Sequence, residues 1–230
     1  MLQMNFGTYR YLGLLAALSV TFELISNFTG ARLVSLGGVP VSISIYSFPM
    51  VYLISDILTE VYGYAKARSV LWLTIFCRVL AASVVRAMLL IPPASIFADD
   101  AAYQKVLSSG LRLAIAGLFA IFAGDICNSY ILAKMKIRSE GHYLWARFVV
   151  STLIGEGLNT AVFYAIAFYG VLPNKALVAA IVAGTAAKTA WEIIALPVTY
   201  PIVRYLKKIE GVDHYDRATN FNPFIVGISD

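Results

Sequence analysis

The residues of this sequence that could do chemistry are charged side chains set inside apolar runs. Asp56 and Glu60 stand four apart in "SDILTEVYG", Asp125 lies in "AGDICNSY" and Glu156 in "STLIGEGLNT". Lys188 and Glu192 are four apart in "KTAWEII", and Arg78 lies ten residues after Arg68. A charge at the centre of a bilayer costs about 2.5–3.5 kcal/mol on insertion scales. Several are tolerable together only if they face one another, water or a polar ligand. Carboxylates accept hydrogen bonds strongly, so the chemistry indicated is recognition of a polar ligand or passage of an ion. An intramembrane enzyme using Asp56 and Asp125 as an acid pair is the catalytic alternative, and the sequence has no GxGD motif to support it.

The elements that position these groups follow from composition. The chain has 230 residues, 60% of them hydrophobic and 13% charged, with a mean hydropathy of +0.76. A soluble domain is about a quarter charged. The apolar residues fall in blocks of roughly 20, enough for a helix to cross about 30 Å of hydrocarbon. The pattern predicts an all-α integral membrane protein, a single domain over residues 1–230. Its six spans are expected at residues 9–28, 41–62, 70–91, 113–133, 148–169 and 176–205, with a tail over 206–230. The first apolar stretch continues through Glu23 and Asn27 and reads as a span, not a cleavable signal peptide. Pro92 and Pro93 end the third span, and Pro197 and Pro201 are expected to bend the last.

Cations cluster after the second, fourth and sixth spans, as Lys66 and Arg68, Lys134, Lys136 and Arg138, and Arg204, Lys207 and Lys208. The positive-inside rule then places both termini in the cytoplasm. The net charge of +5 is accordingly read as topology, with the lipid bilayer and not nucleic acid as partner. Counted up the helices from these cations, Asp56, Asp125, Glu156 and Glu192 lie roughly 13–18 Å above the charged rim, near the midplane. Arg78 reaches a similar height. A polar chamber at that depth is expected, where transporters hold their substrates.

Individual roles divide. Glu60 either pairs with Lys66 or caps a helix end, or else works as a gate. Lys188 and Glu192 form a self-neutralising pair on one helical face or contact ligand. Arg78 is a structural counter-charge to the acids or a gating residue. Glu156 has no cation at helical spacing in its own span, and Gly155 and Gly157 beside it permit close approach of a backbone or ligand. Tyr52, with Tyr46 and Phe48, can share the face of Asp56, and Trp191 adjoins Glu192; such rings suit a flat heterocycle. Cys77 and Cys127 read as small buried hydrophobes. No phosphate-binding glycine loop, HExxH or CxxC is present, so no cofactor, ATPase or metal is expected.

"SDILTEVYGYAKARSVLW", "NSYILAKMKIRSEGHYLWARFVVSTLIGEGLNT", "KTAWEIIALPVTY" and "LKKIEGVDHYDRATNFNPF" together resemble the queuosine-precursor transporters, a bacterial inner-membrane family once described as vitamin-uptake-like. The resemblance implies a six-helix bundle similar to the substrate-binding subunits of energy-coupling-factor importers. It also implies import of 7-deazaguanine bases, cyano- or aminomethyl-substituted, for queuosine salvage in transfer RNA. By motif, Asp56 and Glu60 match the acids of "DILTEVYG", Glu156 that of "STxxGE", and Lys188 and Glu192 the "KxxxE" pair. Asp125 stands where glutamate is expected and Asn159 where aspartate is common, and both departures bear on substrate preference. The resemblance further implies that the polar tail from Val212 to Phe224 docks under the bundle. A carrier acting alone is expected. A binding subunit that needs coupling subunits, a homo-oligomer and a proton-coupled cation transporter are the alternatives.

Overall fold

The computed structural model describes residues 9–107 and 111–225; the outer ends of the expected domain and tail lie outside them. Apolar runs become helices: α1 (Leu12–Thr29), α2 (Phe48–Tyr62), α3 (Tyr64–Met88), α4 (Asp100–Leu107), α5 (Leu111–Arg138), α6 (Leu144–Phe168) and α7 (Asn174–Glu210). Five of them, α1, α3, α5 (over residues 115–138), α6 and α7, are long and apolar enough to cross a membrane. Their outward faces carry exposed Leu80, Val84, Phe119, Ile154, Val182 and Ile194. Such surface suits lipid, because each helix satisfies its own backbone hydrogen bonds.

The second expected span is corrected. Residues 41–47 are not helical; β1 (Leu33–Leu36) and β2 (Val39–Ser42) form an antiparallel hairpin, followed by a 3-10 turn over Ile43–Tyr46. Val39 and Val41 are β-branched and favour extended backbone, and Gly37–Gly38, both at positive φ, make the tight turn. The hairpin is held by the bundle: the Ser42 amide donates to the Tyr164 hydroxyl at 2.8 Å and the Ser42 hydroxyl to the Gly30 carbonyl at 2.7 Å. Only the end of the hairpin at Val41 and Ser42 is buried, and Ser42, Ser44 and Ile45 line a cavity, while β1 is largely exposed. What remains helical, α2, spans 15 residues and is buried on almost every side.

Other boundaries shift less. The third span begins at Tyr64 and ends at Met88; the fourth covers Leu111–Arg138 and the last Asn174–Glu210, with Pro197 and Pro201 inside it. Residues 206–210, expected in the tail, are the final turn of α7.

The helices pack around α2, which touches α1, α3, α5 and α7, while α5 and α6 form a close antiparallel pair. Gly124 and Gly155 allow that closeness. A Cβ on Gly124 would lie 2.8 Å from the Gly155 carbonyl, and one on Gly155 would lie 2.9 Å from the Gly124 carbonyl. Small residues at a crossing are how membrane helices gain van der Waals contact where no hydrophobic force drives them together. Leu12, Leu58, Val61, Leu132, Phe148 and Val203 fill the end that carries the lysines and arginines, here called the basic end. Ala116, Tyr164, Phe168 and Ala180 fill the end near the hairpin.

The tail crosses the basic end as extended chain. Asp216, buried, accepts from the Tyr64 amide at 3.0 Å, and the Arg68 guanidinium donates to the carbonyls of Asn220 and Asn222 at 2.7 and 2.8 Å. Trp72 donates to the Pro223 carbonyl, and the Phe221 ring lies 4.9 Å from that of Tyr64. Gly63, between α2 and α3, has φ +87° and ψ 167°, with the His214 ring where a side chain would go. Only glycine occupies that backbone region without strain.

Candidate functional site

Two helices, α2 and α6, repeat polar residues at successive turns, α7 adds a pair one turn apart and a lysine about four turns on, and the packing sets them in three levels. On α2 these are Tyr52, Asp56 and Glu60, one turn or about 6 Å apart. On α6 they are Glu156, Thr152 and Arg147, and on α7 Lys188, Glu192 and Lys207. α5 adds Asp125, Asn128 and Lys136.

The upper level borders a cavity near the hairpin. Glu23, Asn27, Phe48, Arg78, Asn159 and Lys188 are among its lining, and its empty space is about 620 Å³, open mouth included. The enclosed part of that space, which a water-sized sphere can occupy, is only about 50 Å³. Arg78 donates to Glu23 at 2.5 Å and to Asn27 at 2.8 Å. Lys188 donates to Glu156 at 2.8 Å and Thr160 at 3.2 Å, with its ammonium 4.5 Å from the centre of the Phe48 ring. The expected Lys188–Glu192 pair is therefore corrected: the lysine crosses to α6 and neutralises the acid that has no cation on its own helix. Asp125 lies beside the Tyr52 hydroxyl. Around this level Glu23 Oε2, Tyr52 OH, Asp125 Oδ1, Glu156 Oε1 and Asn159 Nδ2 are buried without a hydrogen-bond partner.

The middle level is an acid pair. Asp56 accepts from Asn128 at 2.5 Å and Thr152 at 3.4 Å, and the Glu192 carboxyl lies against it. Both side chains are buried, and neither Glu192 oxygen has a partner.

The lower level is a closed ion cluster. Glu60 accepts from both terminal nitrogens of Arg147 and from Lys207 at 2.7 Å, with Lys136 at 3.7 Å. Lys136 also donates to the Glu60 and His214 carbonyls and to Asp213. This corrects the expectation for Glu60: its partners come from α5, α6 and α7, not from Lys66 six residues on. A second cavity, lined by Tyr143, Trp145, Tyr200 and Arg204, opens beside the cluster. Partial burial acts to raise Asp213, yet hydrogen bonds from Lys136 and Lys207 hold its carboxyl below the ordinary aspartate range.

The packing thus gathers Tyr52, Asp56, Asp125, Glu156, Asn159, Lys188 and Glu192 along one polar column. Trp191, partly buried, falls off the Lys188–Glu192 face and outside the cavity lining. Arg78 sits at the cavity and not at the basic end. Sequence reasoning left Glu23, Asn27, Asn128, Thr152 and Arg147 out of the site. Glu23 and Asn27, one turn apart in the first apolar run, carried a signal as strong as Asp56 and Glu60.

Comparison with known proteins agrees with this geometry. Residues 42–202 match the family described as putative vitamin uptake transporter. A Bacillus subtilis (strain 168) protein named "Probable queuosine precursor transporter" is 26% identical over 176 residues, covering 76% of this chain and 77% of its own. No solved structure matches. A bundle of lipid-facing helices around a column of buried polar groups, with a match over most of its length, makes this chain a transport protein of the membrane that belongs to the putative vitamin uptake transporter family.

Proposed function

We propose that the chain imports a queuosine precursor, a 7-deazaguanine base, across the bacterial inner membrane. The observation that carries this reading is the set of buried polar atoms without partners at and near the upper cavity: Glu23 and Asn159 line it, while Tyr52, Asp125 and Glu156 lie close by, outside that lining. A buried polar group without a partner costs about 1–3 kcal/mol, so such a set on several helices is completed by a ligand. Glu156 accepts from the ring N–H and exocyclic amine of the guanine-like edge, and Asn159 donates to its carbonyl oxygen. Phe48 and Tyr52 flank the ring. Three carboxylates at this level, Glu23, Asp125 and Glu156, face two cations, Arg78 and Lys188. The surplus acid, Asp125, favours the aminomethyl base, whose ammonium it can pair.

In this reading α1, α2, α3, α5, α6 and α7 cross the bilayer and both ends face the cytoplasm, as the basic end requires. The Glu60 cluster closes the path on that side, and the carrier acts alone. Titration of the purified protein with aminomethyl-deazaguanine, cyano-deazaguanine and guanine tests the substrate. The expected order is aminomethyl tightest, with Glu156→Gln weakening it tenfold or more, since a charge-assisted hydrogen bond contributes about 1.5–3 kcal/mol. No binding of either deazaguanine overturns the substrate assignment. Uptake into proteoliposomes containing only this chain tests independence from coupling subunits.

A further inference from the structure

We propose that Asp56 and Glu192 together hold one proton between α2 and α7, and that this proton is co-transported with the imported base. The inference rests on the import reading above for its direction, but the proton site stands on the geometry. The two carboxyls meet inside the bundle, and among the described residues no ion pair reaches either one. Two ionised carboxylates in contact in apolar surroundings repel, so such a pair shares a proton. The donors present are neutral and serve Asp56: Asn128 from α5 and Thr152 from α6. The Thr152 hydroxyl also lies against Glu192, so one neutral donor is shared between the two acids. A proton on one carboxyl supplies a further donor to the other. The charged and titratable groups nearby are already engaged. Above lie Glu156 with Lys188, and Asp125 beside Tyr52; below lies Glu60 with Arg147 and Lys207.

Coupling follows from which helices the pair joins. α2 and α7 are bridged twice, by Asp56 with Glu192 and, four residues on along α2 and fifteen on along α7, by Glu60 with Lys207. With the proton in place the first bridge is a hydrogen bond and the seam is shut. When the proton leaves, two like charges face each other above the Glu60–Lys207 bridge, and the seam parts toward the basic end. The proton taken up with the base from the hairpin side is released with it on the other side.

Two measurements decide it. In proteoliposomes at zero membrane potential, an interior made alkaline by one pH unit should drive accumulation of the neutral cyano base up to about tenfold, the limit for one proton per base. A protonophore should abolish it, and Glu192→Gln or Asp56→Asn should remove the gradient dependence. Accumulation indifferent to the pH gradient, or driven equally by a sodium gradient, overturns the proposal while leaving the import reading intact. Independently of any substrate, infrared difference spectra at neutral pH should contain a protonated-carboxyl stretch that Glu192→Gln removes. Its absence in the wild-type protein overturns the proton site even if no deazaguanine binds.

Discussion

The upper cavity and the basic end hold similar numbers of charges and use them in opposite ways. At the basic end, Glu60 meets Arg147, Lys207 and Lys136, and the tail supplies acceptors for Lys136 and for one terminal nitrogen of Arg68, whose other two nitrogens stay without a hydrogen-bond partner. At the cavity, Glu23, Arg78 and Asn159 in the lining, and Tyr52, Asp125 and Glu156 near it, each keep a buried atom without a partner. Buried charges that satisfy one another hold a structure shut, whereas buried groups left wanting bind whatever completes them. The same residue types therefore serve as a seal at one end and as a site at the other. The middle level, with two acids and no cation, belongs to neither class.

Substitutions should differ in sign between the two regions. The largest effect is expected from Glu60→Gln, which strands cations in a buried cluster and should cost about 3–5 kcal/mol of stability. A large fall in melting temperature checks this; an unchanged one would show that the tail and not Glu60 holds the seal. Asp125→Asn should do the reverse. Its carboxylate has no compensating cation, so the melting temperature should stay level or rise. The affinity for aminomethyl-deazaguanine should fall about tenfold or more, the range of one charge-assisted hydrogen bond. A loss of stability without a loss of binding would move Asp125 to the structural side of the comparison.

Smaller effects sharpen the description of the seal. Gly63→Ala forces a side chain into a glycine-only backbone region and against His214, at a cost of about 1–3 kcal/mol. Limited proteolysis should then cut the tail faster than in the wild-type protein. Asp213→Asn should cost under about 1 kcal/mol, because its side chain is 43% exposed and solvent screens its pairs. Its carboxyl is held low, so its contribution is fully present above about pH 4, the ordinary aspartate value. It should be lost as pH falls further, through the folded-state value. The acid sensitivity of tail protection, compared between wild-type and Asp213→Asn, reads this directly.

Much of the column was legible because helical rise is regular. Counting turns from the cations puts Asp56, Asp125, Glu156 and Glu192 at one depth, whereas the packing divides them between two levels, Asp125 and Glu156 above Asp56 and Glu192. Partners were not legible in the same way. Spacing along one helix suggested Lys188 with Glu192 and Glu60 with Lys66, while the actual choices, Glu156 and Arg147, depend on how helices pack. Hydropathy also concealed the hairpin: Val39–Ser42 is apolar enough to extend a span, and only Gly37–Gly38 and the valines beside them hinted at a turn and a strand. Glu23 shows the same limit, since an acid in a first span carries no mark of the Arg78 it will meet.

The docked tail also bears on how the chain is completed during synthesis. Arg68 leaves the ribosome 152 and 154 residues before Asn220 and Asn222, whose carbonyls receive its guanidinium. Throughout that interval the turn at Gly63 and a cation that ends up buried lack their cover. A chain halted anywhere before Asn220 keeps them bare, whatever the state of its helices. The segment from Asn220 to Asn222 is thus what covers Arg68: until it has been made and docked, the guanidinium lacks the two carbonyls it bonds.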